Sequence, residues 1–191
     1  MRWLTLYARS RQVPFSAAVV ALSALVVWAL AGLGGGAPTD PRLAALILAA
    51  GATAVSVGLG GQDLGLDRTA AIRWMPRRAA HVLLGGVVIG AVLLAVQTMS
   101  GQQASPVFVV RNSAGLTGLV ALGAAWCGGQ YAWVLPVAWL SVSFVVPPAP
   151  DVATQVLTWM MLPPGTETGT WTAVVLAVTG VAVYAFGGPR R

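Results

Sequence analysis

The most charged stretch of the chain, and so the one best able to bind a charged partner, is residues 60–80. The stretch reads GGQDLGLDRTAAIRWMPRRAA and holds two of the five acidic and four of the eleven basic residues. Asp67 fits the N-cap of a short helix over residues 68–75, and Pro76 is expected to end that helix. Guanidinium groups bind phosphates and carboxylates, which predicts docking on lipid phosphate or on an acidic protein surface. The residues predicted to dock are Asp67, Arg68, Arg73, Trp74, Pro76, Arg77 and Arg78.

A simpler interpretation of the same arginines is an anchor on the cytoplasmic side of a membrane, and the arginines alone fit it equally well. In the predicted helix, Ala70, Ala71 and Trp74 share one face, which leaves Arg73 available to a partner. A capped helix that carries a tryptophan and leads into Pro-Arg-Arg therefore favours a docking element.

Outside this stretch the sequence offers little chemistry. It contains no P-loop, GxSxG or HExxH motif and no pair of acids spaced for catalysis. His81 stands alone and is interpreted as an interfacial residue, while Cys127 has no second cysteine with which to form a disulfide bond. We expect no enzyme activity, no metal and no cofactor.

The composition predicts a membrane protein. Hydrophobic residues make up 57% of the 191 residues, charged residues only 8%, and the mean hydropathy is +0.79. A soluble domain carries roughly 25% charged residues. The net charge of +6 is not gathered on a soluble face, because the arginines flank apolar runs, so nucleic acid is not an expected partner.

The apolar runs predict an all-α fold, a single transmembrane domain of about six helices. A run of about 17–25 residues is long enough to cross a bilayer as a helix. Two of the runs are short and adjacent, which predicts a tight helical hairpin or, alternatively, a re-entrant pair. A segment over residues 1–12 is expected to lie along the membrane interface. The predicted spans are residues 15–33, 43–60, 82–99, 113–128, 131–146 and 171–186.

Arginine placement predicts the orientation of these spans. With both termini in the cytoplasm of a multi-pass protein of the cell membrane, nine of the eleven arginines lie on the cytoplasmic side. Only Arg42 and Arg111 then lie outside, in agreement with the positive-inside bias. No acid falls deep in a span, which argues against a carrier driven by protons or sodium ions.

Two further features complete the predicted bundle. Small residues on the third and fourth spans are expected to let helices approach closely; they are Gly86, Gly90, Ala114 and Gly118. The external segment, residues 147–170, is predicted to hold a short helix capped by Asp151, with Trp159 and Met160 on an apolar stripe and a stop at Pro163. This helix should lie at the outer interface or dip into the bundle.

The stretch GLDRTAAIRWMPRRAAH resembles the coupling helix of ABC-2-type permeases, the membrane subunits of a class of ABC transporters. RNSAGLTGL, AWVLPVAW and the terminal GGPRR are similar to segments of small actinobacterial permease-like proteins. One departure is Ala70, which stands where the family often has Glu. The resemblance implies six spans and a cytoplasmic loop, residues 61–80, that docks on a separate ATP-binding cassette subunit.

The leading functional hypothesis is therefore a permease subunit of an ABC exporter, paired with a second copy or a related permease and surrounded by membrane lipid. The alternative is an integral membrane protein that transports nothing, such as an immunity factor, an anchor or an assembly partner. A lipid-modifying enzyme would need acids or histidines clustered at one depth, and the sequence has no such cluster.

Overall fold

A computed structural model describes residues 41–59, 74–100, 105–147 and 149–190, and within these ranges the chain is helical with no strand. The prediction of an all-α fold is confirmed for this part of the chain. Six α-helices occur there: α1 (Pro41–Ser56), α2 (Trp74–Ser100), α3 (Pro106–Trp126), α4 (Val134–Val145), α5 (Val152–Leu157) and α6 (Glu167–Gly187). Two short 3-10 helices, Val57–Leu59 and Gly129–Tyr131, extend α1 and precede α4.

Four of the described helices are long and apolar enough to cross a membrane. They are Pro41–Leu59, Trp74–Ala95, Pro106–Trp126 and Glu167–Gly187, and each overlaps one predicted span. The predicted first span, the interfacial segment 1–12 and residues 61–73 of the predicted coupling loop lie outside the described residues.

The predicted fifth span corresponds to a short helical segment, in agreement with the shortness of its apolar run. Its α-helix, α4, has 12 residues and is roughly 18 Å long, whereas the hydrocarbon core of a bilayer is about 30 Å thick. Even with the preceding 3-10 helix, the apolar segment Gly129–Val145 stays below the length of the four spanning candidates. The tight hairpin and the re-entrant pair both stay predictions for this part of the chain.

Helix α3 is the centre of the bundle. Every residue from 111 to 125 is buried except Ala114, and α3 contacts α6 more extensively than any other pair of helices. The closest approach is between main chains, because a Cβ on Gly180 would overlap the backbone of Gly118. Glycine is thus required at this crossing.

Helix directions alternate along α1, α2 and α3, while α6 runs parallel to α3. Gly51 of α1 faces Ile89, and Gly86 of α2 faces Thr117 of α3. The bundle therefore has two ends. We call one the Arg78 end, formed by Leu59, residues 74–78, 124–131 and 184–190. We call the other the Arg111 end, formed by the starts of α1, α3 and α6 with residues 145–166.

The start of α2 differs from its prediction. Pro76 was predicted to end a short helix, but the helix continues through it without a break from Trp74 to Ser100. Proline is compatible with the first turn of a helix, because the N–H groups there have no intrahelical partner. The expected boundary between loop and span near residue 81 therefore falls inside one helix.

Candidate functional site: the basic end of the bundle

The first turn of α2 displays its charged side chains at the Arg78 end. Met75, Pro76 and Arg77 are exposed, whereas Trp74 and Arg78 are half-buried. The guanidinium carbon of Arg77 lies 6.0 Å from the centroid of the Trp74 ring, at the outer limit of a cation–π contact. The indole N–H of Trp74 is shielded from solvent and has no acceptor among the described residues.

The C-terminal segment packs beside this turn. Gly188 ends α6 in the left-handed region, with φ of 70°, and its N–H donates to the carbonyl of Tyr184 at 2.8 Å. A Cβ on Gly188 would lie 2.7 Å from Nη1 of Arg78, so the absence of a side chain makes room for that guanidinium group. The N–H of Arg190 donates to the carbonyl of Ala124 at 3.1 Å, which holds a third arginine at the same end.

A buried hydrogen bond ties the end of α6 to the end of the first described helix. The hydroxyl of Tyr184 donates to the carbonyl of Leu59 at 3.0 Å, and only 2% of the Tyr184 surface is exposed. The chain leaves the described structure after Leu59 and re-enters it at Trp74, and both points lie at the Arg78 end. The described residues on either side of this gap are thus both on the side where the arginines are found.

The charge at this end is of one sign in the part of the chain that the structure describes. Arg77, Arg78 and Arg190 lie there, whereas the two described acids, Asp151 and Glu167, lie at the Arg111 end. The other residues predicted to dock, Asp67, Arg68 and Arg73, are outside the described residues.

The residues predicted to pack helices lie along α2 and α3. A Cβ on Gly86 would lie 2.8 Å from Oγ1 of Thr117, and one on Gly90 would lie 3.2 Å from Oγ of Ser113. A Cβ on Gly118 would overlap the main chain of Leu176 in α6. Ala114 differs from these three, because it is exposed.

A polar cluster at the Arg111 end was missed by the sequence reasoning, which treated Arg111 as an ordinary external residue. Arg111 is 6% exposed and donates to two main-chain carbonyls, from Nη1 to Pro163 at 3.0 Å and from Nη2 to Leu162 at 2.7 Å. Asn112 is fully buried, and its Nδ2 donates to the carbonyl of Met160 at 2.9 Å. The available signal was an Arg-Asn pair immediately before an apolar run.

The segment held by this cluster reaches into the bundle. Trp159 and Met160 are fully buried, and the Trp159 ring packs where a Cβ on Gly115 would lie. Among the described residues the indole N–H of Trp159 has no hydrogen-bond partner. The predicted stripe is partly wrong, because α5 ends at Leu157 and the next residues form a turn. The turn frees carbonyls for Arg111 and Asn112.

Asp151 caps α5 as the sequence predicts. Its carboxylate accepts the N–H of Thr154 at 2.8 Å. Hydrogen bonds from Thr154 favour the ionised form and hold the pKa of Asp151 below its ordinary value. The capping bond positions a short helix that is bonded to α4, since Ser143 donates its hydroxyl to the carbonyl of Leu157 at 2.7 Å.

The described residues contain no group of three His, Cys, Asp or Glu side chains able to hold a metal ion. No family model, curated protein or solved structure matches the chain. The main chemical feature of the described residues is therefore their arrangement of charges. It consists of an exposed basic end, an apolar middle and one buried, hydrogen-bonded arginine at the opposite end.

Proposed function

We propose that this chain is a membrane-spanning permease subunit of an ABC transporter, most simply an exporter. In this proposal it has six membrane segments and both termini in the cytoplasm, and it lies in the cell membrane. The Arg78 end faces the cytoplasm and docks on a separate nucleotide-binding subunit. A second copy or a related permease completes the transport pathway.

The continuity of α2 is the observation that carries this proposal. One unbroken helix of 27 residues, roughly 40 Å long, joins the arginine-bearing turn to the middle of the bundle. A force applied at Arg77 and Arg78 is transmitted along a rigid element to Gly86 and Gly90, where α2 crosses α3. A separate loop helix would transmit less, because a flexible joint would intervene.

The charge and exposure of the Arg78 end support docking on an acidic surface. Exposed arginines next to an aromatic ring are typical of protein interfaces, where Arg and Trp are enriched among the residues that contribute most to binding. Met75 adds an exposed apolar side chain to the same turn, with 49% of its surface accessible.

The interior of the described bundle supports the proposal that the energy source lies outside the membrane. In the four spanning candidates, the only buried Asp, Glu, Lys, Arg or His side chain is Arg111, and it donates to two main-chain carbonyls and to Asn112. A carrier coupled to protons or sodium ions usually has ionisable groups at membrane depth. A motor that binds ATP outside the membrane needs no such groups.

The proposed mechanism is mechanical. When two nucleotide-binding subunits close on ATP, they displace the first turn of α2, and the rest of the helix follows as a rigid body. The contacts at Gly86 and Gly90 then pass the displacement to α3. The residues proposed to receive the force are those predicted from the sequence, Asp67, Arg68, Arg73, Trp74, Pro76, Arg77 and Arg78.

Charge reversal at the Arg78 end tests the proposal. Detergent-solubilised protein from its native membrane is expected to retain a polypeptide with a P-loop and to hydrolyse ATP. Arg77→Glu with Arg78→Glu should reduce both readouts by roughly tenfold or more, because like charges facing each other across an interface cost several kcal/mol.

The matched control is Arg42→Glu, which reverses an exposed arginine at the Arg111 end. It should leave retention of the P-loop subunit and ATP turnover unchanged. If the double reversal also leaves both unchanged, the docking role of this end is wrong. If the unaltered protein retains no P-loop subunit, the alternative of a non-transporting membrane protein is favoured.

A further inference from the structure

An open groove of about 370 Å³ lies between α2, α3 and α6, and no residue of α1 lines it. Small residues form much of its surface, among them Gly86, Gly90, Ala114 and Ala177. Ala114, the exposed residue in the otherwise buried part of α3, faces this groove. A surface of small residues allows a further helix to approach closely in a membrane.

The polar atoms in the groove are already used. The hydroxyl of Ser113 donates to the carbonyl of Val110 at 3.0 Å, and that of Thr117 donates to the carbonyl of Ser113 at 2.6 Å. Both bonds stay within α3, so neither hydroxyl is oriented to donate to a ligand. An apolar occupant therefore fits the groove better than a polar one.

We propose that the apolar run over residues 15–33 of the same chain packs lengthwise in this groove. The run carries no charged residue and is long enough to cross a bilayer as a helix. It precedes α1, whose start at Pro41 lies at the Arg111 end. The end of the run near residue 33 is then also at the Arg111 end, antiparallel to α1.

The connection between the run and α1 is long enough for this placement. Residues 34–40 reach at most about 25 Å when extended. Seen from α1, the groove lies on the far side of α2. Neighbouring helices are roughly 8–10 Å apart, so the connection must span about 20 Å. The short Gly-rich connection thus allows the run to pack in the groove but is too short for the run to lie on the far side of α6.

Side-chain size also fits. The middle of the run offers Leu22, Leu25 and Val26, whereas the groove offers glycine and alanine. Large side chains of one helix then occupy space left by small residues of its neighbours, which is how helices gain van der Waals contact in lipid. The placement is independent of any nucleotide-binding partner.

Disulfide formation tests the placement. In a Cys127→Ser background, Ala114→Cys is combined in turn with Leu22→Cys, Ser23→Cys, Ala24→Cys and Leu25→Cys, one helical turn in the middle of the run. A disulfide requires Cα atoms within about 7 Å of each other. We expect one or two of the four pairs to lose their free thiols on mild oxidation in native membranes, with the protein still monomeric on a denaturing gel.

The matched control replaces Ala114→Cys by Ala50→Cys, an exposed alanine in the middle of α1. It should form no disulfide with the same four positions. Disulfides to Ala50→Cys instead would place the run beside α1 and overturn the proposal. So would a disulfide-linked dimer formed by Ala114→Cys alone, which would put a second copy in the groove. If neither series forms a disulfide, the groove is open to lipid and the proposal is wrong.

Discussion

The two ends of the bundle use arginine in opposite ways. At the Arg78 end, Arg77 is exposed on the first turn of α2. At the Arg111 end, a single arginine is buried and donates to carbonyls of residues 162 and 163, about fifty positions away in sequence. The Arg77 side chain is accessible to the surroundings, whereas the Arg111 side chain binds main-chain carbonyls of its own chain.

This difference shows that the sequence context of an arginine does not reveal its role. Both Arg77 and Arg111 flank apolar runs, and arginine counting predicts only the side of the membrane on which each lies. Their burial differs because residues after α5 turn inward at Trp159 and leave carbonyls that need donors. Substitutions at the Arg111 end should therefore act on stability, and those at the Arg78 end on partner binding.

The largest effect on stability is expected for Arg111→Met. It leaves the carbonyls of Leu162 and Pro163 without donors, and hydrogen bonds from charged groups contribute about 1.5–3 kcal/mol each. We expect a loss of roughly 2–4 kcal/mol, measured as the free energy of unfolding in detergent. Arg77→Met should change it by less than about 0.5 kcal/mol. Equal losses in the two variants would contradict the proposed division between the ends.

A smaller loss is expected for Asn112→Ala. The substitution removes the buried donor to the carbonyl of Met160 and the acceptor for Nε of Arg111, at 3.2 Å. About 1–3 kcal/mol should be lost, because a buried polar group is left without a partner. Proteolysis should also become faster in residues 158–166, and an unchanged cleavage rate there would argue that Asn112 does not hold the segment.

At the Arg78 end, Tyr184→Phe tests the one buried hydrogen bond described there. It removes the hydroxyl that donates to Leu59 and should cost about 0.5–1.5 kcal/mol. The loss should be smaller than for Arg111→Met, because a single neutral donor is removed here and a charged group that makes several hydrogen bonds is removed there. A larger loss would reverse the ranking of the two ends.

The smallest effect is expected at Asp151. Its pKa is below the ordinary value, so its contribution is fully present above that value and is lost as pH falls through the lower pKa of the folded state. The protection factor of the Thr154 amide, the exchange rate of an unprotected amide relative to its own at the same pH, should fall over this acidic range. Asp151→Asn can still cap but does not titrate, and it should remove the pH dependence. A dependence that persists in this variant would assign it to another group.

The sequence predicts helices well where a run is uniformly apolar. Residues 171–186 were predicted as a span, and α6 covers them with four more residues at its start and one more at its end. Prediction from the sequence fails where polar residues are buried in a helix. Arg111 and Asn112 are stable inside α3 only because they donate to acceptors that are distant in sequence. No local pattern shows that those carbonyls are near.

The candidate site was likewise predicted only in part. The basic character of residues 74–78 follows from composition, but their continuity with the following span does not, since Pro76 alone suggested a break. Gly180 was also missed, although an isolated glycine within an apolar helix indicates close backbone approach. Gly118 was predicted to pack helices, but its pairing with Gly180 could be recognised only once the parallel packing of α3 and α6 was known.

The contact between Gly118 and Gly180 has a geometrical consequence. It lies near the middle of both helices, where the two main chains are in direct contact. The crossing can therefore serve as a fulcrum, about which a tilt of α6 moves its two ends in opposite directions. Inward movement at Gly187 would be accompanied by outward movement at Glu167, next to the segment that Arg111 holds.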